Sequence, residues 1–342
     1  MSDTKAFEEV KSLGLVPEGA IMVGYRGSLA HGTWLDPERP DAVDDRDLMG
    51  VVVPPLGCYF GTENWASHGT KEIVRDPWDC VYYELSKMAG LLAAGNPNVQ
   101  SLLWLKPEHY LRITAAGWLL LDMREMFLSK KIYGAFAGYA SGQLQKMTSR
   151  DPAELRMYLA LTAEAKHRGI HPNHKGERLG YPADYDQLSG EARVANTTHD
   201  DKLLQMLASY QKKGENIGYL GDKRKKLVLE HGYDTKNASH CIRLLRMGIE
   251  LLSSGKLAVF REDARELVDI KLGKWTLERV QAEAEDLFEE ARIAADKSPL
   301  PEKPDWCRIS QSIVEIVALE HHLSVAEAAE RAKSLVELKI PY

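Results

Sequence analysis

Ala20-Ile21-Met22-Val23-Gly24-Tyr25, with Gly27-Ser28 directly after it, and then Asp45-Arg46-Asp47-Leu48-Met49-Gly50-Val51-Val52-Val53 decide how this chain reads. Each block joins a short apolar run, the pattern of a buried strand, to residues of another chemistry. The first run leads into a glycine-serine turn. The second is entered through two aspartates and stopped by Pro54-Pro55. Asp45 follows Ser28 by seventeen residues, and the polar, proline-containing stretch Leu35 to Val43 between them reads as a loop. A glycine lets backbone approach a polyphosphate closely, and a serine hydroxyl with free N–H groups at a turn can cradle phosphate oxygens. Aspartates at i and i+2 of a strand point to one side, where they can bridge two Mg²⁺ ions for nucleotidyl or phosphoryl transfer. Each half has an ordinary structural reading, a common turn and an acidic loop entering a strand. Their order, strand, Gly-Ser, loop, Asp-x-Asp, strand, favours catalysis.

Outward from these blocks, Thr70 to Val74 reads as a third strand. Leu85, Met88 and Leu92 then follow helical spacing, and Gly95-Asn96-Pro97 stops that helix. The predicted fold class is α+β: a catalytic domain over residues 1–125 with a small mixed sheet and flanking helices, then an all-helical domain over 126–342 that closes the active-site cleft. Helices are predicted over Tyr133–Met147, Pro152–Lys166, Asp201–Lys213, Ala238–Leu252 and Thr276–Asp296. A last helix follows Ser324, which forms a capping box with Glu327. The stretch from Gly169 to Asn196, rich in Gly, Pro, Asn and His, reads as a long loop.

The 342 residues are enough for two cores, and 44% hydrophobic with 27% charged content is that of an ordinary globular chain. No apolar run approaches the ~18 residues that span a bilayer, and Met1 to Leu15 lacks the pattern of a secretion signal. Cys58, Cys80, Cys241 and Cys307 are scattered, as expected of free thiols in a reducing cytoplasm. A net charge of −6 argues against non-specific coating of nucleic acid. A local excess of cations from Lys202 to Arg246, including Lys223-Arg224-Lys225-Lys226, is where a polyphosphate or nucleic-acid partner is expected; a solvated helix face is the other reading.

Gly27-Ser28 with His31-Gly32-Thr33, then Asp45-Arg46-Asp47-Leu48-Met49-Gly50-Val51, resembles the nucleotidyltransferase superfamily of DNA polymerase beta. More closely, the chain is similar to the RlaP-type family of predicted nucleotidyltransferases, found in bacteria and phages and linked with RNA repair. The resemblance continues through Asp79 to Leu85, Gly95-Asn96-Pro97-Asn98, the block Gly232-Tyr233-Asp234-Thr235-Lys236-Asn237-Ala238-Ser239-His240, and Arg243-Leu244-Leu245-Arg246. It implies a third carboxylate, for which Asp79 matches by position, serving as base and metal ligand. The structural alternative for Asp79 is the N-cap of the following helix. Glu84 is the second candidate, with a solvated helix face as its alternative.

Lys236, His240 and Arg243 recur at i, i+4 and i+7 on one stripe, with Ile242, Leu245, Ile249 and Leu252 nearly opposite. An apolar back and a cationic front suit binding of the β- and γ-phosphates; a basic face turned to solvent is the alternative. His167, His171 and His174 lack a completing ligand for zinc, and Pro172 interrupts their helix. The expected activity is therefore transfer of a nucleoside monophosphate from a nucleoside triphosphate such as ATP to an acceptor hydroxyl. Two Mg²⁺ ions, or Mn²⁺ in their place, would be held by Asp45, Asp47 and Asp79, with Gly27, Ser28, Lys236, His240 and Arg243 on the nucleotide. The resemblance and the basic middle make an RNA 3′ end, tRNA included, the leading acceptor. The alternatives are a protein side chain, a small molecule, or a non-catalytic nucleotide or RNA sensor.

Overall fold

The computed structural model describes residues 4–35, 46–148, 151–168, 199–207 and 222–324, the last stretch with side chains from Arg224 onward. Its elements run α1 (Thr4–Ser12), β1 (Ala20–Tyr25), α2 (Gly27–His31), β2 (Arg46–Val52), α3 (Gly57–Phe60), β3 (Thr70–Arg75), β4 (Trp78–Glu84), α4 (Leu85–Ala93), α5 (Pro97–Gln100), β5 (Tyr110–Ile113), α6 (Ala115–Asp122), α7 (Lys131–Thr148) and α8 (Pro152–His167). Residues 199–207 form α9. After it come α10 (Asp222–His231), α11 (Thr235–Ser254), α12 (Ala264–Lys271), α13 (Leu277–Lys297) and α14 (Trp306–Glu320). The helix expected after Ser324 and the whole Gly169–Asn196 loop lie outside the described residues. The architecture is α+β, as the patterning predicts.

Among the described residues the sheet has the strand order β3-β4-β2-β1-β5. It is mixed: β2 and β4 run parallel, while β1–β2, β1–β5 and β3–β4 are antiparallel. Alternation along β2 and β4 splits their side chains between two faces. Leu48, Val52, Trp78, Cys80 and Tyr82 pack on one face with Val10 and Leu15 from α1 and its following turn. The Trp78 indole N–H donates to Glu9 at 3.1 Å, tying α1 to the strand entrance. Asp47 and Asp79, at odd positions of the same strands, are thereby aimed at the opposite face. On β1, a Cβ on Gly117 of α6 would overlap the Ile21 carbonyl oxygen, so only glycine allows that helix to sit so close. All four cysteines are free, and burial raises the Cys80 and Cys241 thiols to about 11 and about 12.

By contact, the described chain falls into two units, and they do not follow a cut at residue 125/126. The sheet unit draws on Met1–Ser141, Cys241–Asp269 and Ala282–Tyr342. Later helices belong to it because α14 packs on α6 and α4, and His321 Nε2 donates to the Pro54 carbonyl at 3.0 Å. The second unit is Gly142–His240 with Ile270–Gln281. Within it Ala165 packs with Leu203, Leu204 and Leu207, and Leu155 with Val228. Its Asp234, fully buried, accepts from Arg224 at 2.6 Å and from the Asn237 backbone N–H at 3.1 Å. Tyr233 donates to the Trp275 carbonyl and Thr235 to that of Lys271.

Helix α2 is short, and its C-terminal end is clamped within the sheet unit. Gly32 closes it in the left-handed region at φ 72°, and a Cβ there would lie 2.9 Å from the Phe260 ring. The buried His31 bonds the Val259 carbonyl through Nδ1 at 3.0 Å; a carbonyl only accepts, so Nδ1 carries the proton. The Arg261 backbone N–H donates to the His31 carbonyl at 3.2 Å. Arg261 is in turn paired with Glu250 and Asp263. Burial holds the His31 imidazole well below its ordinary 6.5, Arg243 lowers it further, and Arg261 and His109 add smaller effects against the Val259 carbonyl, which raises it. Unfolded His31 takes a proton near pH 6.5 while the folded group stays neutral, so its contribution is intact above that pH and is lost as pH falls below it. Lowering the pH from 7.5 to 5.5 should remove about 1 kcal/mol through this group. His31→Asn, whose amide can still donate to Val259, should start less stable but lose less on acidification; equal slopes in thermal melts would contradict the clamp's neutral histidine.

Candidate active site

Parallel pairing of β2 with β4 sets Asp47 and Asp79 opposite each other as Cα partners. Side chains of register partners share a face, so the two carboxylates are neighbours although 32 positions separate them in the chain. Like charges this close repel, and a nearby cation offsets that. Arg26, the residue between β1 and Gly27, has its guanidinium 3.6 Å from Asp47 Oδ1 and 3.5 Å from Asp79 Oδ2. At those lengths the contacts are charge pairs rather than hydrogen bonds. Asp79 is the more open carboxylate, with a side chain 41% exposed against 22% for Asp47.

Gly27 stands against this pair. It lies at φ +61°, and an added Cβ would overlap Asp47 Oδ2. The Arg26 backbone N–H donates to the Asp47 carbonyl at 3.0 Å, joining the start of α2 to β2. Ser28 follows in α2, where its carbonyl accepts from the Thr33 N–H at 2.9 Å. The glycine expected directly after the strand is present at a turn, where it opens the short helix α2 that the sequence did not announce, and it is demanded by a carboxylate as well as by the turn.

Asp79 lies in β4 and is not a helix cap. That role belongs to Glu84, whose carboxylate accepts from the Ser86 and Lys87 backbone N–H groups at 2.8 and 2.9 Å. Glu84 pairs with Val52, five residues beyond Asp79 and roughly 16 Å away along the strand. It is neither on a solvated helix face nor beside Asp47. Asp45 lies outside the described residues, as do His171 and His174. Tyr83, four residues after Asp79 on the same strand face, has its phenol raised by burial and lowered by Arg26.

The cationic stripe divides. Arg243 belongs to the sheet unit, and Lys236 and His240 to the second unit, although all three lie on α11. Arg243 is half-buried and has no hydrogen bond or carboxylate within ion-pair distance among the described residues. Burial and the nearby Arg261 lower it to about 10, against Asp263, so it remains charged at neutral pH. Arg246, by contrast, is spent on Asp263, Glu266 and Glu283 at 2.7 to 2.8 Å. Arg224 is likewise held by Asp234. The basic middle is therefore partly neutralised from within. Asp234 and Thr235, within the block that carries the family resemblance, use their side chains to start α11 and to bond Lys271.

Two carboxylates on adjacent strands give hard oxygen donors of the kind Mg²⁺ prefers. Among the described residues no three Asp, Glu, His or Cys side chains converge, so Asp47 and Asp79 are the portion of the expected ligand set that the fold brings together. Arg26 was not singled out by its sequence; the signal was a lone cation between the strand and Gly27. Among the described residues, no helix is long and apolar enough to cross a membrane.

A 38.9 kDa protein described as uncharacterized, from the nrdC-mobD intergenic region of Enterobacteria phage T4, is 23% identical over 351 residues, covering 89% of this chain and 98% of the phage protein. No solved structure matches. Residues 21–162 match the RNA repair pathway DNA polymerase beta family, RlaP. Over that segment, which carries Gly27, Ser28, Asp47 and Asp79, the chain is similar to the RlaP family, and the match supports a polymerase-beta-like nucleotidyltransferase in general terms.

Proposed function

We propose that the protein transfers a nucleoside monophosphate from a nucleoside triphosphate to a hydroxyl at an RNA 3′ end, releasing pyrophosphate. The observation that carries this reading is the contact of Gly27 with Asp47, itself the register partner of Asp79. A phosphate seated on the Gly27-Ser28 backbone would lie against both carboxylates. The acceptor oxygen bonds to the α-phosphorus, the bond from that phosphorus to the bridging oxygen breaks, and pyrophosphate leaves. Asp79, the more open carboxylate, takes the acceptor's proton. Asp47 and Asp79, with Asp45, would hold Mg²⁺, which when bound polarises the phosphate and stabilises the leaving group. Arg243 supplies a partly desolvated cation for phosphate charge, with Lys236 and His240 as further candidates on the same helix. The acceptor assignment draws on the family's description as part of an RNA repair pathway.

Arg26 offsets the carboxylate pair when no metal is bound. Arg26→Met should lower thermal stability in EDTA, by no more than about 1 kcal/mol for so exposed a pair, and Mg²⁺ should restore more of it than in the wild type. Gly27→Ala should weaken nucleotide binding and cost about 1–3 kcal/mol in stability, since the new methyl meets Asp47 in a left-handed backbone. The reaction itself is tested by incubating each labelled NTP with Mg²⁺, with and without a pool of RNA. Label should enter RNA with the wild type and fall about 10²- to 10⁴-fold with Asp79→Asn, and comparably with Asp47→Asn. Label on protein would reassign the acceptor, and NTP binding without transfer by the wild type would refute the enzymatic reading.

A further inference from the structure

Arg26 reaches across the sheet. It follows β1, and β2 lies between β1 and β4. Neighbouring strands stand about 4.8 Å apart, so Asp79 is roughly 10 Å from the line of β1. The Arg26 guanidinium nevertheless lies 3.6 Å from Asp47 and 3.5 Å from Asp79, extended over the face that the two carboxylates share. The hold is by charge alone. Among the described residues none of the guanidinium N–H donors makes a hydrogen bond, at either of those distances or elsewhere. Other arginines of the same unit are fixed: Arg246 donates to three carboxylates at 2.7 to 2.8 Å, and Arg261 to Glu250 and Asp263. The Arg26 backbone, in contrast to its side chain, is anchored. Its N–H donates to the Asp47 carbonyl, and Gly27 beside it stands against the Asp47 carboxylate. A fixed base with a loosely held head, its side chain 31% exposed, can change partners without disturbing the strand.

We propose that Arg26 exchanges partners: it lies on Asp47 and Asp79 without metal, and moves onto the triphosphate at Gly27-Ser28 when those carboxylates take Mg²⁺. The proposal rests on the transferase reading and adds a phosphate ligand to it. A guanidinium and a divalent cation repel each other over one carboxylate pair, so the weaker-held charge leaves. The nearest anion open to it is the triphosphate on the adjoining glycine turn. A triphosphate that draws Arg26 away frees the carboxylates for metal, and metal on the carboxylates frees Arg26 for the triphosphate. Each ligand thus spares the other the breaking of the same contact, which makes their binding cooperative.

The test measures binding rather than turnover, on the full-length protein. Mn²⁺ binding is followed by electron paramagnetic resonance, and binding of α,β-methylene nucleoside triphosphates, which cannot react, by calorimetry with and without saturating Mg²⁺. Arg26→Met removes the charge and keeps an apolar chain. Without nucleotide it should bind Mn²⁺ about 2- to 5-fold more tightly than the wild type, because the competing cation is gone. With saturating Mg²⁺ it should bind the triphosphate about 10- to 100-fold more weakly, having lost a charged hydrogen-bond donor. Arg26→Lys, a cation without the planar fork, should fall between on both measures. Tighter Mn²⁺ binding with unchanged triphosphate affinity would overturn the exchange and leave Arg26 a counter-ion only. Weaker binding of both ligands by both variants would make Arg26 a structural support, and overturns it equally. In either case a wild type that binds the triphosphate leaves the transferase reading standing. A wild type that binds no triphosphate with or without Mg²⁺ sinks that reading, and the exchange with it.

Discussion

The parallel pairing of β2 with β4 is the constraint on which the rest of the site depends. Register is quantised in a sheet, and a slip of one residue would turn every side chain of a strand to the other face. With Asp47 opposite Asp79, the carboxylates share one face while Leu48, Cys80 and Tyr82 enter the core on the other. The apolar residues lock the register from behind, and the charged ones inherit it. Core packing and the placement of the carboxylate pair are in this sense one specification. The expense is electrostatic, and Arg26 offsets it from the adjoining strand end.

Several parts of this arrangement were legible before any coordinates. β1, β2 and β3 lie where short apolar or β-rich runs predicted strands, and α4, α7, α8, α11 and α13 where helical spacing did. The Gly27-Ser28 turn was visible because a glycine and a small polar residue directly follow a short apolar run. β4 was not, because Trp78-Asp79-Cys80-Val81-Tyr82-Tyr83-Glu84 mixes a site carboxylate and a capping carboxylate into a strand. That mixture is also why a helix cap stood as the structural alternative for Asp79. The cap is real but belongs to Glu84. Periodicity reports how a residue faces its own element, and says little about which element pairs beside it.

Long-range grouping was the least legible property. A boundary drawn where strand signals fade assumes that neighbours in sequence stay neighbours in space. α14 and the Cys241–Asp269 stretch depart from that assumption, because their apolar faces pack with the sheet unit. Likewise, counting cations from Lys202 to Arg246 could not reveal which were already paired. Among the described residues Arg246 pairs with three carboxylates and Arg243 with none at ion-pair distance, though they are three residues apart on one helix. A turn of helix separates a cation neutralised by carboxylates from one without such a pair among the described residues.

The histidine clamp on α2 bears on how the chain comes to be functional during synthesis. His31 and Val259 are 228 positions apart, so the strands and the glycine turn emerge from a ribosome long before the segment that holds α2. Contacts of such separation form late, since the chain between them must first be ordered. A nascent chain can thus own both aspartates and the turn without owning their support. A product that ends before Val259 would carry the motif by sequence and lack the clamp on α2. Synthesis past Arg261 becomes, by geometry alone, a condition for the glycine turn to be held in place.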